Sequence, residues 1–249
     1  MLHYRRYGAG KTLVLQHGFV GSGEIFAPLS AHLASHFDVI APDLPGLGGS
    51  ADQPAPDNVP ALARILIDTL DQLGVQRFSL LGHSLGAETA LQLAVDFPQR
   101  LEKLIVYGGC AADLPERYES YDESIRRIQA DGIAATAARI AATWIKTGTD
   151  HPLYEFMRRC GANSSQPGAI QLLRAMSTFD VRERLGNVQA RTLIVCGDAD
   201  RTTHPRHSIE LWQAIPDAQL CIIPNSAHAA HAEAPALFNQ IVLRFLLEH

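Results

Sequence analysis

Nowhere in this sequence is there an apolar run long enough to span a bilayer, which excludes a membrane-crossing helix. Cysteine is scarce, with four in 249 residues: Cys110, Cys160, Cys196 and Cys221. No two of them have the spacing of zinc ligands or of a redox dithiol, and none sits in a context that would activate it as a nucleophile. They read as reduced, mostly buried thiols of a cytoplasmic protein. The opening residues Met1 to Arg6 lack the apolar stretch of a secretory signal. An excess of one charge is also missing. Against 26 acidic residues stand 21 basic ones, a net charge of -5, so no basic stripe exists for nucleic acid and no polybasic patch for a membrane surface. There is no internal repeat, no low-complexity linker and no H-E-x-x-H or equivalent ligand spacing. Neither a metal nor a cofactor is expected, and the expected partner is a small-molecule substrate.

What is there is a core. Hydrophobic residues make up 47% of the chain, enough for one large α/β domain carrying a small insertion. Short apolar runs recur at Leu13–Leu15, Val39–Ile40, Phe78–Leu81, Leu104–Tyr107, Leu193–Cys196 and Leu220–Ile223. They are apolar on both faces, as strands covered by helices on both sides must be. Helical patterns fall between them. Leu62, Ile65, Leu66, Thr69, Leu70 and Leu73 share one helical face, with Asn58 as cap and Gly74 as stop. Ser84 to Phe97 reads as a helix ended by Pro98, and Pro205 and Pro235 each suit a first helical turn. Such alternation implies a mostly parallel sheet with right-handed crossovers.

Between Ala111 and Val188 the alternation stops and only helical signals remain. The expected organisation is a core of residues 1–110 and 189–249 and a helical insertion at 111–188, read as a lid over a pocket.

Gly82-His83-Ser84-Leu85-Gly86 carries the chemistry. An apolar run leads into this G-x-S-x-G and a helical pattern leads out. A sharp strand-to-helix turn lifts a serine above the sheet, and the glycines relieve backbone crowding there. Serine needs a base. Among 11 histidines, His228 follows the final apolar run, on the sheet edge where Ser84 stands; His231 is the alternative. His17 reads as a hydrogen-bonder within its loop, His83 as pointing away from substrate, and His204 and His207 as a solvated helix start. The orienting acid comes from Asp198-Ala199-Asp200. Asp200 lies further into the loop, and Asp198 suits local support of the turn. In Gln16-His17-Gly18-Phe19 a glycine lets the backbone approach a reacting carbonyl. The N–H groups of Phe19 and Leu85 are the expected oxyanion donors.

On His17-Gly18-Phe19, Pro42-Asp43-Leu44-Pro45-Gly46, Gly82 to Gly86, Gly197 to Asp200, and His228 with Glu233-Ala234-Pro235, the chain resembles the α/β-hydrolase fold family over nearly its whole length. The order Ser84, Asp200, His228 is the family's order. The resemblance implies an eight-stranded, mostly parallel sheet with a cap after the sixth strand, and a structural role for Asp43. Leu47, Ala87, Ala227 and Phe26 depart from frequent family residues without removing a catalytic group. Ser84 argues against the epoxide hydrolases and haloalkane dehalogenases, which use aspartate there. The resemblance is to small carboxylesterases and enol-lactonases, so the expected reaction is ester or lactone hydrolysis through an acyl-enzyme. Carbon–carbon hydrolysis of a β-diketone-like substrate and a ligand-receptor role are the alternatives. Arg158 and Arg159 are either substrate-carboxylate ligands or a solvated helix face.

Overall fold

The computed structural model describes residues 1–113 and 119–248. Residues 114–118 of the expected insertion lie outside the described residues, as does His249. Seven strands form one sheet: β1 (Tyr4–Tyr7), β2 (Lys11–Gln16), β3 (Phe37–Pro42), β4 (Phe78–His83), β5 (Leu101–Tyr107), β6 (Arg191–Gly197) and β7 (Gln219–Ile223). Their order is β1-β3-β2-β4-β5-β6-β7, with β1 antiparallel to β3 and every other pair parallel. All six apolar runs of the sequence are strands. The count among the described residues is seven rather than eight, and the helical segment follows the fifth strand rather than the sixth. The added strand, Tyr-Arg-Arg-Tyr, has no apolar run because it is an edge. Its Arg6 forks onto Asp38, and Arg5 onto the buried Asp43.

The nine α-helices among the described residues are α1 (Ala27–Leu33), α2 (Val59–Gln72), α3 (Leu85–Asp96), α4 (Tyr121–Trp144), α5 (Tyr154–Ala162), α6 (Gln166–Ser177), α7 (Pro205–Ala214), α8 (Ala230–Glu233) and α9 (Pro235–Leu247). Side chains alternate across the sheet. Val14, Leu80 and Val106 face α2 and α3, whereas Leu13, Leu15, Leu81 and Ile105 face α1 and α9. Helix starts follow local chemistry: the Asn58 side chain accepts from Ala61 N at 2.9 Å, and Pro205 and Pro235 open α7 and α9. No helix among the described residues is long and apolar enough to cross a membrane.

From β2 the chain steps to β3 on one side, then crosses to β4 on the other. That reversal opens a crevice at the carboxyl ends of β2 and β4, where ligands of open α/β sheets bind. Gly18 and Ser84 stand there.

Between β5 and β6, α4, α5 and α6 form a layer over this edge, and its neck is not helical. Ala112 bridges Asp180, Asp113 N donates to Phe179 O at 3.0 Å, and Val181 N donates to Ala111 O at 2.8 Å. Gly132 (φ 77°) kinks α4. The layer docks through backbone. Ser165 N donates to Gly46 O and Ala229 N to Trp144 O, both at 2.8 Å. Gly168 lies so close to Gly46 that a Cβ there would meet Gly46 Cα at 2.6 Å. Gly168→Ala should therefore lift the helical layer, lowering Tm by about 3–10 °C and speeding proteolysis within residues 111–188 several-fold. An unchanged cleavage rate and Tm would show that this close docking is dispensable.

Candidate active site

Ser84 joins β4 to α3 with φ 57° and ψ -122°, a conformation that costs a non-glycine residue about 1–3 kcal/mol. Neighbouring backbone enforces it. Ser84 N donates to Tyr107 O at 3.0 Å, and Ser84 O accepts from Ala87 N at 2.7 Å. A Cβ on Gly82 would meet Gly86 O at 2.1 Å, and one on Gly86 would meet Gln16 O at 2.3 Å. Only glycine fits either position. The serine therefore sits at the N-terminus of α3, facing partial positive charge.

His228 and Asp200 arrive from the neighbouring loops after β7 and β6. Nδ1 of His228 lies 2.7 Å from Asp200 Oδ2, with both side chains fully buried. Asp200 Oδ1 accepts from the N–H of Thr202 at 2.8 Å and of Thr203 at 3.0 Å, and Oδ2 accepts from the Thr203 hydroxyl at 3.2 Å. A carboxylate so supplied with donors stays an acceptor, so His228 Nδ1 carries the proton and Nε2 the lone pair. The carbonyl of His228 is clasped as well, by the Tyr107 hydroxyl at 2.8 Å and by His83 Nε2 at 2.9 Å. Asp198 instead accepts from Ser226 N at 3.1 Å and shapes the turn. Backbone N–H groups of Asn225 and Ser226 hold its carboxyl below the usual range, although burial opposes them.

The structure joins His228 to Asp200 but does not hydrogen-bond Ser84 to His228. Among the described residues the Ser84 hydroxyl makes no hydrogen bond, and His228 Nε2 is buried without a partner. The imidazole is packed between the rings of His83, 4.5 Å away between centroids, and Trp144, 5.8 Å away. Gly18 lies against the serine, where a Cβ would meet Ser84 Cβ at 2.7 Å. The N–H groups of Phe19 and Leu85 are unpaired among the described residues. Together these groups supply a free hydroxyl, a proton-accepting imidazole and two free backbone donors at one sheet edge.

The other histidines divide by surroundings. His17 Nε2 accepts from Leu44 N at 2.9 Å, and its Nδ1 lies 2.8 Å from Gly18 O, bracing the loop. Asp43 braces the same region, accepting from the N–H groups of Gly23 and Gly49 and contacting His3 and Arg5. His231 is 3.1 Å from the Tyr107 hydroxyl, and burial together with His228 drives its pKa down to about 3. Burial, His228 and His231 likewise push His83 well below the ordinary range. His204 and His207 are not simply solvated: both line the cavity described next, and His207 is buried.

A cavity of roughly 290 Å³ lies between the helical layer and the sheet edge. Phe19 and Ser84 line its floor, and Ile140, Trp144, Leu173 and Met176 supply apolar wall. Neither Arg158 nor Arg159 lines it. Arg158 pairs with Glu155 at 2.9 Å, and Arg159 stacks over Phe156. Sequence reasoning missed Tyr107, Thr203 and Glu233 as supports. Glu233 joins the histidine loop to the helical layer, accepting from Ala227 N and Lys146 N at 2.7 Å each. Its only signal in the sequence was its place in the Glu233-Ala234-Pro235 match.

Comparison with known proteins gives the family. A family described as the alpha/beta hydrolase fold matches residues 11–235. The chain is 29% identical over 242 residues to a protein of Caulobacter sp. (strain K31) provisionally named carbamate hydrolase RutD, covering 95% of this chain and 90% of that one. It is 28% identical to the 2-hydroxy-6-oxo-6-phenylhexa-2,4-dienoate hydrolase of Comamonas testosteroni, covering 99% and 91%. The enol-lactonase of Burkholderia xenovorans LB400 superposes with a TM-score of 0.92 at 24% identity, covering 99% and 96%.

The buried histidines set an acid limit on stability. His231 stays neutral in the native state down to about pH 3, whereas an unfolded histidine binds a proton near pH 6.5. Below that value the unfolded chain holds the extra proton, so stability is complete above it and falls as pH drops. At pH 5 His231 alone accounts for about 2 kcal/mol, or roughly 4–8 °C of Tm. His231→Gln should show a smaller Tm loss between pH 7 and pH 5 than the unaltered protein. Equal losses would contradict this assignment.

Proposed function

This chain belongs to the α/β-hydrolase fold family, and from that premise we propose that it hydrolyses a small carboxylic ester or lactone through an acyl-enzyme on Ser84. One observation carries the reading. His228 is fixed to Asp200 through Nδ1 while its Nε2 is buried, and neither that nitrogen nor the Ser84 hydroxyl has a hydrogen-bond partner among the described residues.

Acylation requires the Ser84 hydroxyl to meet Nε2. Oγ then bonds to the substrate carbonyl carbon as its proton passes to Nε2. The carbonyl oxygen becomes an oxyanion held by the N–H groups of Phe19 and Leu85, aided by the start of α3. Collapse breaks the bond to the leaving oxygen, which takes the proton from His228. A water then gives its proton to Nε2 as its oxygen adds to the acyl carbon; the bond from that carbon to Oγ breaks, Oγ takes the proton back from His228, and the carboxylic acid leaves. The sum is ester plus water to acid plus alcohol. Asp200 holds the imidazole in the accepting tautomer and stabilises the imidazolium between steps. The layer of α4, α5 and α6 acts as the lid that limits water in the cavity.

A second reading is hydrolysis of a carbon–carbon bond in a dienoate ring-fission product, favoured by the name of the Comamonas relative. It uses the same serine and histidine, and bleaching of the dienoate chromophore without ester turnover distinguishes it. For the leading reading, Ser84→Ala should cut turnover of p-nitrophenyl acetate by at least about 10⁴-fold at unchanged circular dichroism. Retention of most of the activity would exclude Ser84 as the nucleophile.

A further inference from the structure

The cavity over Ser84 has an unbalanced charge. Six titratable side chains line it: Glu119, Arg127, Arg139, Arg201, His204 and His207. The only carboxylate among them, Glu119, is engaged by Arg127 at 2.9 Å and by the Ser124 hydroxyl at 2.7 Å. Arg139 and Arg201 have no carboxylate within 4 Å among the described residues. Among the described residues the guanidinium of Arg201 has one long contact, 3.4 Å to Ile145 O, and that of Arg139 has none.

Their placement follows from the chain. Past the kink at Gly132, residues 136, 139, 140, 143 and 144 of α4 recur at helical spacing and turn toward the cavity, so Arg139 lies on its wall, half-buried. Arg201 directly follows Asp200, so the loop that delivers the buried carboxylate also delivers an exposed guanidinium to the cavity. The remaining wall is largely apolar, and the volume admits only a small molecule. Two uncompensated guanidinium groups beside such a wall focus a positive potential inside it, and their planar forks match a carboxylate.

We propose that the substrate is a small ester or lactone bearing a carboxylate on an apolar body, with Arg139 and Arg201 holding that carboxylate while the scissile carbonyl lies over Ser84. This rests on the reading of Ser84 as nucleophile. The two arginines of sequence interest, Arg158 and Arg159, have no part in it, being paired and stacked outside the cavity.

The test uses a matched pair of esters, p-nitrophenyl hemisuccinate and its neutral methyl ester, on the unaltered protein and on R139Q, R201Q and the double variant. The ratio of kcat/KM, anionic over neutral, should exceed one in the unaltered protein. It should fall about 10- to 100-fold in the double variant, chiefly through KM for the anionic ester. A ratio that does not change across the variants overturns the proposal. A parallel measurement needs no chemistry: monomethyl glutarate should raise the Tm of Ser84→Ala protein, and R139Q/R201Q should remove that rise. If neither ester is turned over, the nucleophile assignment fails. The arginine site then stands on an arginine-dependent Tm rise and falls without one.

Discussion

The hydrogen bond between Asp200 and His228, 2.7 Å long and closed off from solvent, depends on sheet topology before any side chain is considered. β6 and β7 are parallel neighbours, so the loops leaving their carboxyl ends emerge side by side. Gly197 admits the histidine loop at close range: a Cβ there would meet Ser226 O at 2.2 Å and Ala227 O at 2.3 Å. Once the loops touch, Thr202 and Thr203 saturate the carboxylate, and Tyr107 and His83 hold the histidine carbonyl. The imidazole is left one free nitrogen. Every chemical property argued for Ser84 follows from that nitrogen's availability.

Holding the site this way works against stability. Ser84 keeps a strained backbone, and three imidazoles, His83, His228 and His231, are buried within a ring cluster that includes Tyr107 and Phe26. Two of them are kept neutral by burial. Paired apolar layers on both sheet faces, such as Leu13, Leu81 and Ile105 against α9 and Leu80 and Val106 against α3, offset those costs. Such a division, with strain and buried polarity at the site and close packing elsewhere, is expected where positioning matters more than local stability.

Much of this architecture was legible in the sequence because buried parallel strands are apolar on both faces. Six strands followed directly from apolar runs. β1 did not, since an edge strand carrying Arg5 and Arg6 has no such run; the eight strands and the insertion after the sixth came from the resemblance, and the sheet has one strand fewer, so the insertion follows the fifth. Ser84, Asp200 and His228 stood out because a turn motif and two strand-end loops mark them. The supports did not. Tyr107 reads as one more core residue of a strand, and its hydroxyl finds His228 across 121 positions of chain. The cavity arginine was equally hidden. Arg139 and the pair Arg158 and Arg159 look alike in sequence, and only the rotation of α4 past Gly132 selects the first. Of the family departures, Phe26 packs 5.4 Å from His231, and Ala87 faces Gly109, which leaves room for its methyl group.

The helical layer and this machinery are joined. The layer's docking contacts at Ala229 and Glu233 reach the segment that carries His228, so cavity shape and imidazole placement share supports. The central claim remains that an imidazole held by Asp200 activates Ser84. The most direct measurement is the rate of Ser84 phosphonylation by a fluorophosphonate, followed by intact mass and peptide mapping, in the unaltered protein and in Asp200→Asn. The account predicts a single adduct on Ser84, formed about 10³- to 10⁴-fold more slowly in the variant. Equal rates in the two proteins, or an adduct on another residue, would contradict it.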